Sequence, residues 1–285
     1  MEAAVEGVLV RAGRILPMRT EETPAVLRDA AIAFAREAGA VLKSGYGTIH
    51  APERKGVIDL VTEYDRRSEA LLLRRIGERF PDHSILAEES GMHEAAAGRT
   101  RWLVDPLDGT TNFAHNYPFF CVSVGVEHAG DLIAGAVYDP VRDEMFAAAR
   151  GLGATLDGKP IHVSAIARIE DALLVTGFPY SVREHPQTIM PLFEAFLVRA
   201  QGVRRDGSAA LNLCYLACGR FDGFWERHLS AWDMAAGVLI VREAGGTVTR
   251  FDRSGFELDR REILASNSRV HDEMAQLIAT HVPHA

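Results

Sequence analysis

Apolar residues recur at helical spacing from Ala25 to Lys43 (Leu27, Ala31, Phe34, Ala38, Val41), and Gly45 and Gly47 mark the end of that first helix. Ile58–Val61 is a short β-prone run. Thr62 to Arg79 reads as a second helix with Leu71, Leu72 and Ile76 on its apolar side, stopped by Pro81. Short apolar runs at Ser84–Ala87 and Trp102–Val104 have strand character, and each is followed by acids. Phe119–Glu127 and Asp131–Tyr138 predict a hairpin across His128-Ala129-Gly130, and Glu144–Ala149 with Ile161–Ser164 predicts another. Beyond Ile166 the pattern predicts a strand at Ala172–Thr176 and a helix over Pro186–Gln201. It continues with a small-residue helix at Ser208–Cys218 and a strand at Phe221–Trp225. Ser230–Glu243 is nearly all apolar, so that helix is buried, and Gly245-Gly246 ends it. Strands at Thr247–Phe251 and Ile263–Ala265 and a helix at Val270–Thr280 finish the chain. Helices and strands interleave, but hairpins are frequent. The expectation is a layered α+β fold with two mixed sheets, not a doubly wound parallel one. It divides into an extension (1–24), an N-terminal half (25–165) and a C-terminal half (166–285).

At 285 residues the chain is large enough to bury a core without staples. Its 39 acids against 31 bases give a net charge of −8, which lowers the weight of a nucleic-acid-binding reading. Three cysteines (Cys121, Cys214, Cys218) fit a reducing compartment, and Cys214 and Cys218 read as small core residues one helical turn apart. No apolar run approaches the roughly 20 residues of a membrane span, and the first twenty residues carry no cleavage signal. A cytoplasmic location and no membrane partner are expected.

Candidate chemistry concentrates in Val104-Asp105-Pro106-Leu107-Asp108-Gly109-Thr110-Thr111-Asn112. Pro106 removes an N–H between two acids, and a bend there can aim both carboxylates and the Leu107 carbonyl at one point. Hard divalent cations take such all-oxygen ligand sets. Gly109 permits close backbone approach to a ligand, and the N–H groups of Gly109, Thr110 and Thr111 could face a phosphate. Glu88-Glu89 ends another apolar strand, and Ser230-Ala231-Trp232-Asp233 opens the buried helix. Each element also has a plain structural reading: a turn, a solvated loop acid, and a capping box. Spacing alone does not bring the three together.

Taken together, these motifs resemble the inositol monophosphatase family. Those carrying the resemblance are Asp59-Leu60-Val61-Thr62-Glu63-Tyr64-Asp65, Glu88-Glu89-Ser90, Asp105 to Phe113, Gly207-Ser208-Ala209-Ala210, Trp232 to Gly237 and Arg242 to Gly246, in an order that spans Ala25 to the C-terminus. The resemblance implies a layered αβαβα sandwich and Mg²⁺-dependent, Li⁺-sensitive phosphomonoester hydrolysis, with two to three ions per site. It implies that Glu88, Asp105 and the Leu107 carbonyl hold one ion. Asp105, Asp108 and Asp233 hold a second, and Glu88 reaches a weaker third through water. Asp65 and Thr110 orient the attacking water, Gly109 and Thr110 hold phosphate, and Gly207, Ser208 and Ala209 contact substrate. Glu226 accepts from ring hydroxyls.

Within this family Phe224-Trp225-Glu226 most resembles the inositol 1-phosphatase branch. Histidinol phosphate, fructose 1,6-bisphosphate and adenosine 3′,5′-bisphosphate remain alternatives. Arg204-Arg205-Asp206 reads as a structural or interface salt bridge, or as a holder for a second phosphate. A small phosphate ester and a second copy of the chain, as a homodimer, are the expected partners; nucleic acid is not. The other class of reading is a binding or regulatory protein that keeps the fold, with Arg66-Arg67 and Arg74-Arg75 as a basic surface.

Overall fold

The computed structural model describes residues 22–48, 52–54, 60–95 and 99–281. The expectations for most of the extension (1–21) and for Ile58 and Asp59 lie outside the described residues. The elements are, in chain order, α1 (Pro24–Gly45), β1 (Glu53–Arg54), β2 (Leu60–Val61), α2 (Glu63–Arg79), β3 (Ser84–Ala87), β4 (Gly91–His93), β5 (Thr100–Asp108) and α3 (Thr110–Ala114). Then follow β6 (Cys121–His128), β7 (Asp131–Asp139), β8 (Glu144–Ala149), β9 (Ala154–Leu156), β10 (Lys159–Pro160) and β11 (Leu173–Thr176). The last are α4 (Met190–Leu197), β12 (Gly202–Arg204), α5 (Ala209–Ala217), β13 (Gly223–Arg227), α6 (Ala231–Glu243), β14 (Thr247–Thr249), β15 (Glu262–Ser266) and α7 (His271–His281).

Eight strands form one sheet in the order β10-β9-β8-β7-β6-β5-β3-β4, antiparallel except for β3 beside β5. Five form the second, β12-β11-β13-β15-β14, with β12, β11 and β13 parallel. α1 and α2 cover the outer face of the large sheet, α5 and α6 lie between the sheets, and α4 and α7 cover the far face of the small one. This is the αβαβα sandwich that the resemblance implies. Side-chain alternation along the strands assigns the faces. Trp102 and Val104 pack toward α1 and α2, while Leu103 between them packs toward α5 and α6. Phe224 points to the same middle layer, and its neighbour Trp225 points outward to stack on Phe196, with ring centroids 4.0 Å apart.

The middle layer is tight because glycine meets alanine there. Gly125 of β6 and Gly135 of β7 are directly paired, and they face Ala235 and Ala236 of α6. A Cβ on Gly135 would lie 2.9 Å from the Ala236 Cα, and one on Gly125 would lie 2.6 Å from the Ala235 Cβ. The backbones of helix and sheet therefore nearly touch, two residues from Asp233.

Several expected boundaries move. Glu22 and Thr23 already belong to the fold: Thr23 caps α1, and the Glu22 carboxylate lies 3.2 Å from His83 Nε2. The strand paired with β8 is β9, not Ile161–Ser164, because Gly151 and Gly153, both at positive φ, close the hairpin earlier. α4 starts only at Met190, since Pro191 is tolerated in a first turn and not further in. β5 runs through Asp105 to Asp108, so these acids lie in the strand rather than after it.

Two glycines give opposite predictions. Gly77 is exposed in α2 with open space where a Cβ would go, so Gly77→Ala is expected to stabilise the chain by about 0.5 kcal/mol through lost unfolded-state freedom. Gly135→Ala is expected to destabilise it by about 1–3 kcal/mol through overpacking against α6. Thermal or urea denaturation of the pair checks this; equal effects would mean that the contact yields freely.

Candidate active site

β5 supplies two acids three residues apart. In a regular strand, residues i and i+3 point to opposite faces. Here the pairing of β5 with β6 shifts register between Asp105 and Asp108, a bulge that places both carboxylates at one cleft. Pro106 sits in the bulge, where no ladder N–H is needed. Its carbonyl accepts from Ser68 Oγ of α2 at 2.8 Å. The next carbonyl, that of Leu107, is 3.1 Å from Thr110 Oγ1 on the cleft side.

Other elements bring further acids to the same cavity of about 350 Å³. Glu88 follows β3, whose parallel pairing with β5 fixes its position; its N–H donates to the Val104 carbonyl at 3.2 Å. Asp233 enters from the first turn of α6, where its Oδ2 accepts from the Ser230 N–H at 2.7 Å. Asp108 Oδ2 accepts from Ser208 Oγ and from the Ala210 N–H, both at 2.7 Å, at the start of α5. Asp105 is 2% exposed and accepts from the Leu107 N–H at 2.9 Å.

The electrostatics follow from this crowding. Burial first, then the charges of Glu88, Asp108 and Asp233, push the Asp105 carboxyl well above the usual carboxylate range. Asp233 is raised in the same way, by burial and then by Asp108 and Glu88. Asp108 is also raised by burial, while its bonds from Ser208 and from the Ala210 and Ala209 N–H groups pull it back. Among the described residues no three His, Cys, Asp or Glu side chains are placed to hold a metal ion as they stand. The donor set nonetheless fits a hard cation: oxygens only, carboxylate-rich, with uncompensated negative charge at one place.

Beside the acids stands a second arrangement. Asp65, fully buried at the third position of α2, has Oδ2 occupied by the Thr62 N–H at 2.8 Å and the Thr62 hydroxyl at 2.6 Å. This capping box leaves Oδ1 to take the hydroxyl of Thr110 at 2.9 Å. Gly109, at φ 101°, turns the chain from β5 into α3, and a Cβ there would lie 3.0 Å from the Phe119 carbonyl. Asn112 Nδ2 donates to the carbonyls of Phe119 and Asp206 at 2.7 and 2.8 Å, tying this turn to the Gly207 loop.

The sequence matches the profile of the inositol monophosphatase family over residues 24–283. It is 49% identical over 243 residues to the inositol-1-monophosphatase of Synechocystis, covering 85% of each chain. The solved structure of an inositol monophosphatase from Anabaena superposes with a TM-score of 0.82 at 44% identity, over 91% of this chain and 97% of that one. A relative from Haemophilus influenzae, 43% identical over 87% of this chain and 94% of its own, is named Nus factor SuhB. The chain belongs to the inositol monophosphatase family. It is accordingly a phosphomonoester hydrolase.

The residues to which the resemblance assigns site roles lie at the cleft or directly behind it. Glu88, Asp105, Leu107, Asp108, Gly109, Thr110, Gly207, Ser208, Ala209, Glu226 and Asp233 line the cavity, and Asp65 lies behind Thr110. The wall opposite the acids was not foreseen. Gly177–Tyr180, following β11, and Arg261, before β15, close it. The only sequence signal was the Gly177-Phe178-Pro179 break after an apolar strand. A Cβ at Gly177 would lie 2.1 Å from the Glu226 carboxylate, so a larger residue there would displace that side chain. Three of the four arginines of the expected basic surface on α2 are paired with acids. Arg66 pairs with Glu53, Arg74 with Glu78 and Arg75 with Glu37, and Arg67 lies over the Tyr64 ring.

Burial pushes Glu226 up to about 8. Its folded pKa lies above its unfolded value, so its contribution to stability is complete below about pH 4.5 and is lost as pH rises toward 8. The expected outcome is that Glu226→Gln, lacking this loss, gains in melting temperature over the unsubstituted chain as pH rises from 5 to 8. A gap that stays constant over that range would show that Glu226 does not titrate there.

Proposed function

We propose that the chain hydrolyses a small polyol phosphate, with myo-inositol 1-phosphate as the leading substrate, in a reaction dependent on Mg²⁺ and inhibited by Li⁺. What supports this most is the convergence of Glu88, Asp105, Asp108 and Asp233 beside the Thr110–Asp65 pair. Glu88, Asp105 and the Leu107 carbonyl would hold one ion, and Asp105, Asp108 and Asp233 a second; a third would be held more weakly near Glu88. Bound there, such ions offset the charge of the phosphate dianion and make water a usable nucleophile near neutral pH.

The chain's own groups do the positioning. Asp65 is locked by Thr62, so it holds the Thr110 hydroxyl as a donor and leaves that oxygen's lone pairs free to accept from water. A hydrogen bond of this kind fixes the direction of attack and needs no shift in the threonine's own proton affinity. Gly109 and Thr110 receive the phosphate, and the Gly207–Ala209 loop and Glu226 receive the polyol. A macromolecule-binding role gains little from Arg66, Arg74 and Arg75 of α2, which are already paired.

Asp105→Asn is expected to reduce phosphate release from myo-inositol 1-phosphate below a tenth of the unsubstituted rate at saturating Mg²⁺. The melting temperature of the metal-free variant should stay level or rise, because one of several mutually repelling carboxylates is gone. Turnover above a tenth would contradict a shared-ligand role. Ca²⁺ in place of Mg²⁺ is expected to bind without supporting turnover, since it takes more ligands at longer distances.

A further inference from the structure

Buried polar atoms in a folded chain nearly always find a hydrogen-bond partner, so an exception asks for a reason. Among the described residues three buried side-chain atoms have none: His128 Nε2, Asn212 Oδ1 and Arg250 Nε. Arg250 Nε still lies 3.7 Å from the Glu262 carboxylate, and the other ring nitrogen of His128 is 2.9 Å from Thr100 Oγ1. Neither residue borders the active cavity. Asn212 does.

The helix explains how the amide reaches the cavity. Asn212 stands four positions after Ser208, the N-cap of α5, and its N–H donates to the Ser208 carbonyl at 3.1 Å. It therefore lies one turn along the same face, and side chains on a helix lean back toward its N-terminus. That lean brings the amide toward Ser208 and Ala209, which line the same wall. At 1% exposed, Asn212 belongs to the floor of the cavity, not to its mouth. Its neighbours Leu211 and Leu213 are fully buried, so packing alone gives no reason for an amide between them. An amide out of water without a partner is a cost to the folded state, which an aliphatic side chain would not bring.

From this position we infer that Asn212 is a specificity-determining residue, whose amide receives a hydroxyl of the substrate's polyol at the cavity floor. This rests on the reading of the cavity as the site of a polyol phosphatase. The last torsion of an asparagine is soft and two-fold, so a turn about it exchanges oxygen and nitrogen on the cavity side. The ligand group that suits either end is one that both donates and accepts, as a hydroxyl does. A phosphate dianion only accepts, and an ammonium only donates. An ester without the hydroxyl leaves the buried amide unpaired, and a site built in this way rejects such an analogue strongly. Asn212 thus acts beside Glu226, from the helix that also carries two of the donors to Asp108.

Cyclohexyl phosphate is myo-inositol 1-phosphate without its ring hydroxyls, and the two esters together test the role. With the full chain, kcat and KM are measured in Mg²⁺, and dissociation constants by thermal-shift titration in Ca²⁺. Asn212→Ala should lower kcat/KM for the inositol ester by about tenfold or more, chiefly through a higher KM, and weaken its binding in Ca²⁺ to match. For the cyclohexyl ester both quantities should change by less than about twofold, since no hydroxyl contact is lost. Asn212→Ser keeps a shorter group that donates and accepts, so it should fall between. If Asn212→Ala does not fold, a loss of about threefold or more in Asn212→Ser, confined to the inositol ester, decides for the role. Equal losses on the two esters, or no loss on the inositol ester, overturn it. A selective loss of inositol-ester binding, with phosphate released from neither ester, keeps the role of Asn212 and overturns the hydrolytic reading of the cavity.

Discussion

Like charges held together out of water are the constraint around which this molecule is built. Two unit charges about 4 Å apart repel by roughly 4 kcal/mol at an effective dielectric near 20, before any cost of burial is counted. Asp105, Asp108, Asp233 and Glu88 share one cleft, and the raised proton affinities of the three aspartates record the strain of that arrangement. A hard cation bound there would relieve it, and the same negative charge that destabilises the metal-free cleft would give such a cation its affinity.

The fold meets this cost with fixed donors and rigid supports. Asp105 accepts from the Leu107 N–H within its own strand, Asp108 from Ser208 and Ala210 at the start of α5, and Asp233 from Ser230 at the cap of its own helix. None of these bonds depends on a long, mobile side chain. Behind them, Gly125 and Gly135 let α6 settle onto the large sheet at backbone contact, so Asp233 is fixed relative to β5 by packing that leaves little room to slide.

The three parallel strands of the small sheet, β12, β11 and β13, deliver the other wall. The ends of these strands and the chain beyond them supply Arg205 and Gly207, Gly177 to Tyr180, and Glu226 to Leu229. Placing ligand groups beyond the carboxyl ends of parallel strands is a common solution in open sheets. On the proposed reading, the large sheet with α6 would serve the reacting phosphate, and the small sheet would serve whatever the phosphate is attached to. Asn112, bonded to carbonyls on both sides, links the two.

Much of this was legible in the residues. Apolar periodicity placed most helices and strands, and the layered α+β class followed from hairpins mixed with helices. The acids were visible because Asp-Pro-x-Asp-Gly and Ser-x-x-Asp are local patterns whose chemistry depends on a few adjacent residues. Even the aim of Asp105 and Asp108 at one point followed locally, since Pro106 between them disfavours a regular ladder. What the sequence did not contain was distance between remote segments. That Glu88, Asp233 and the β5 acids meet depends on β3 lying parallel beside β5 and on α6 lying against β6 and β7, which no local spacing encodes. Arg66, Arg74 and Arg75 read as a basic surface until Glu53, Glu78 and Glu37 were found beside them. Arg205 reads from the sequence as a salt-bridge partner or a phosphate holder, and only the fold shows that it lies over the Phe178 ring. Charge is written residue by residue, but whether a charge is spent or available depends on its neighbours in space, and only the tertiary structure decides those.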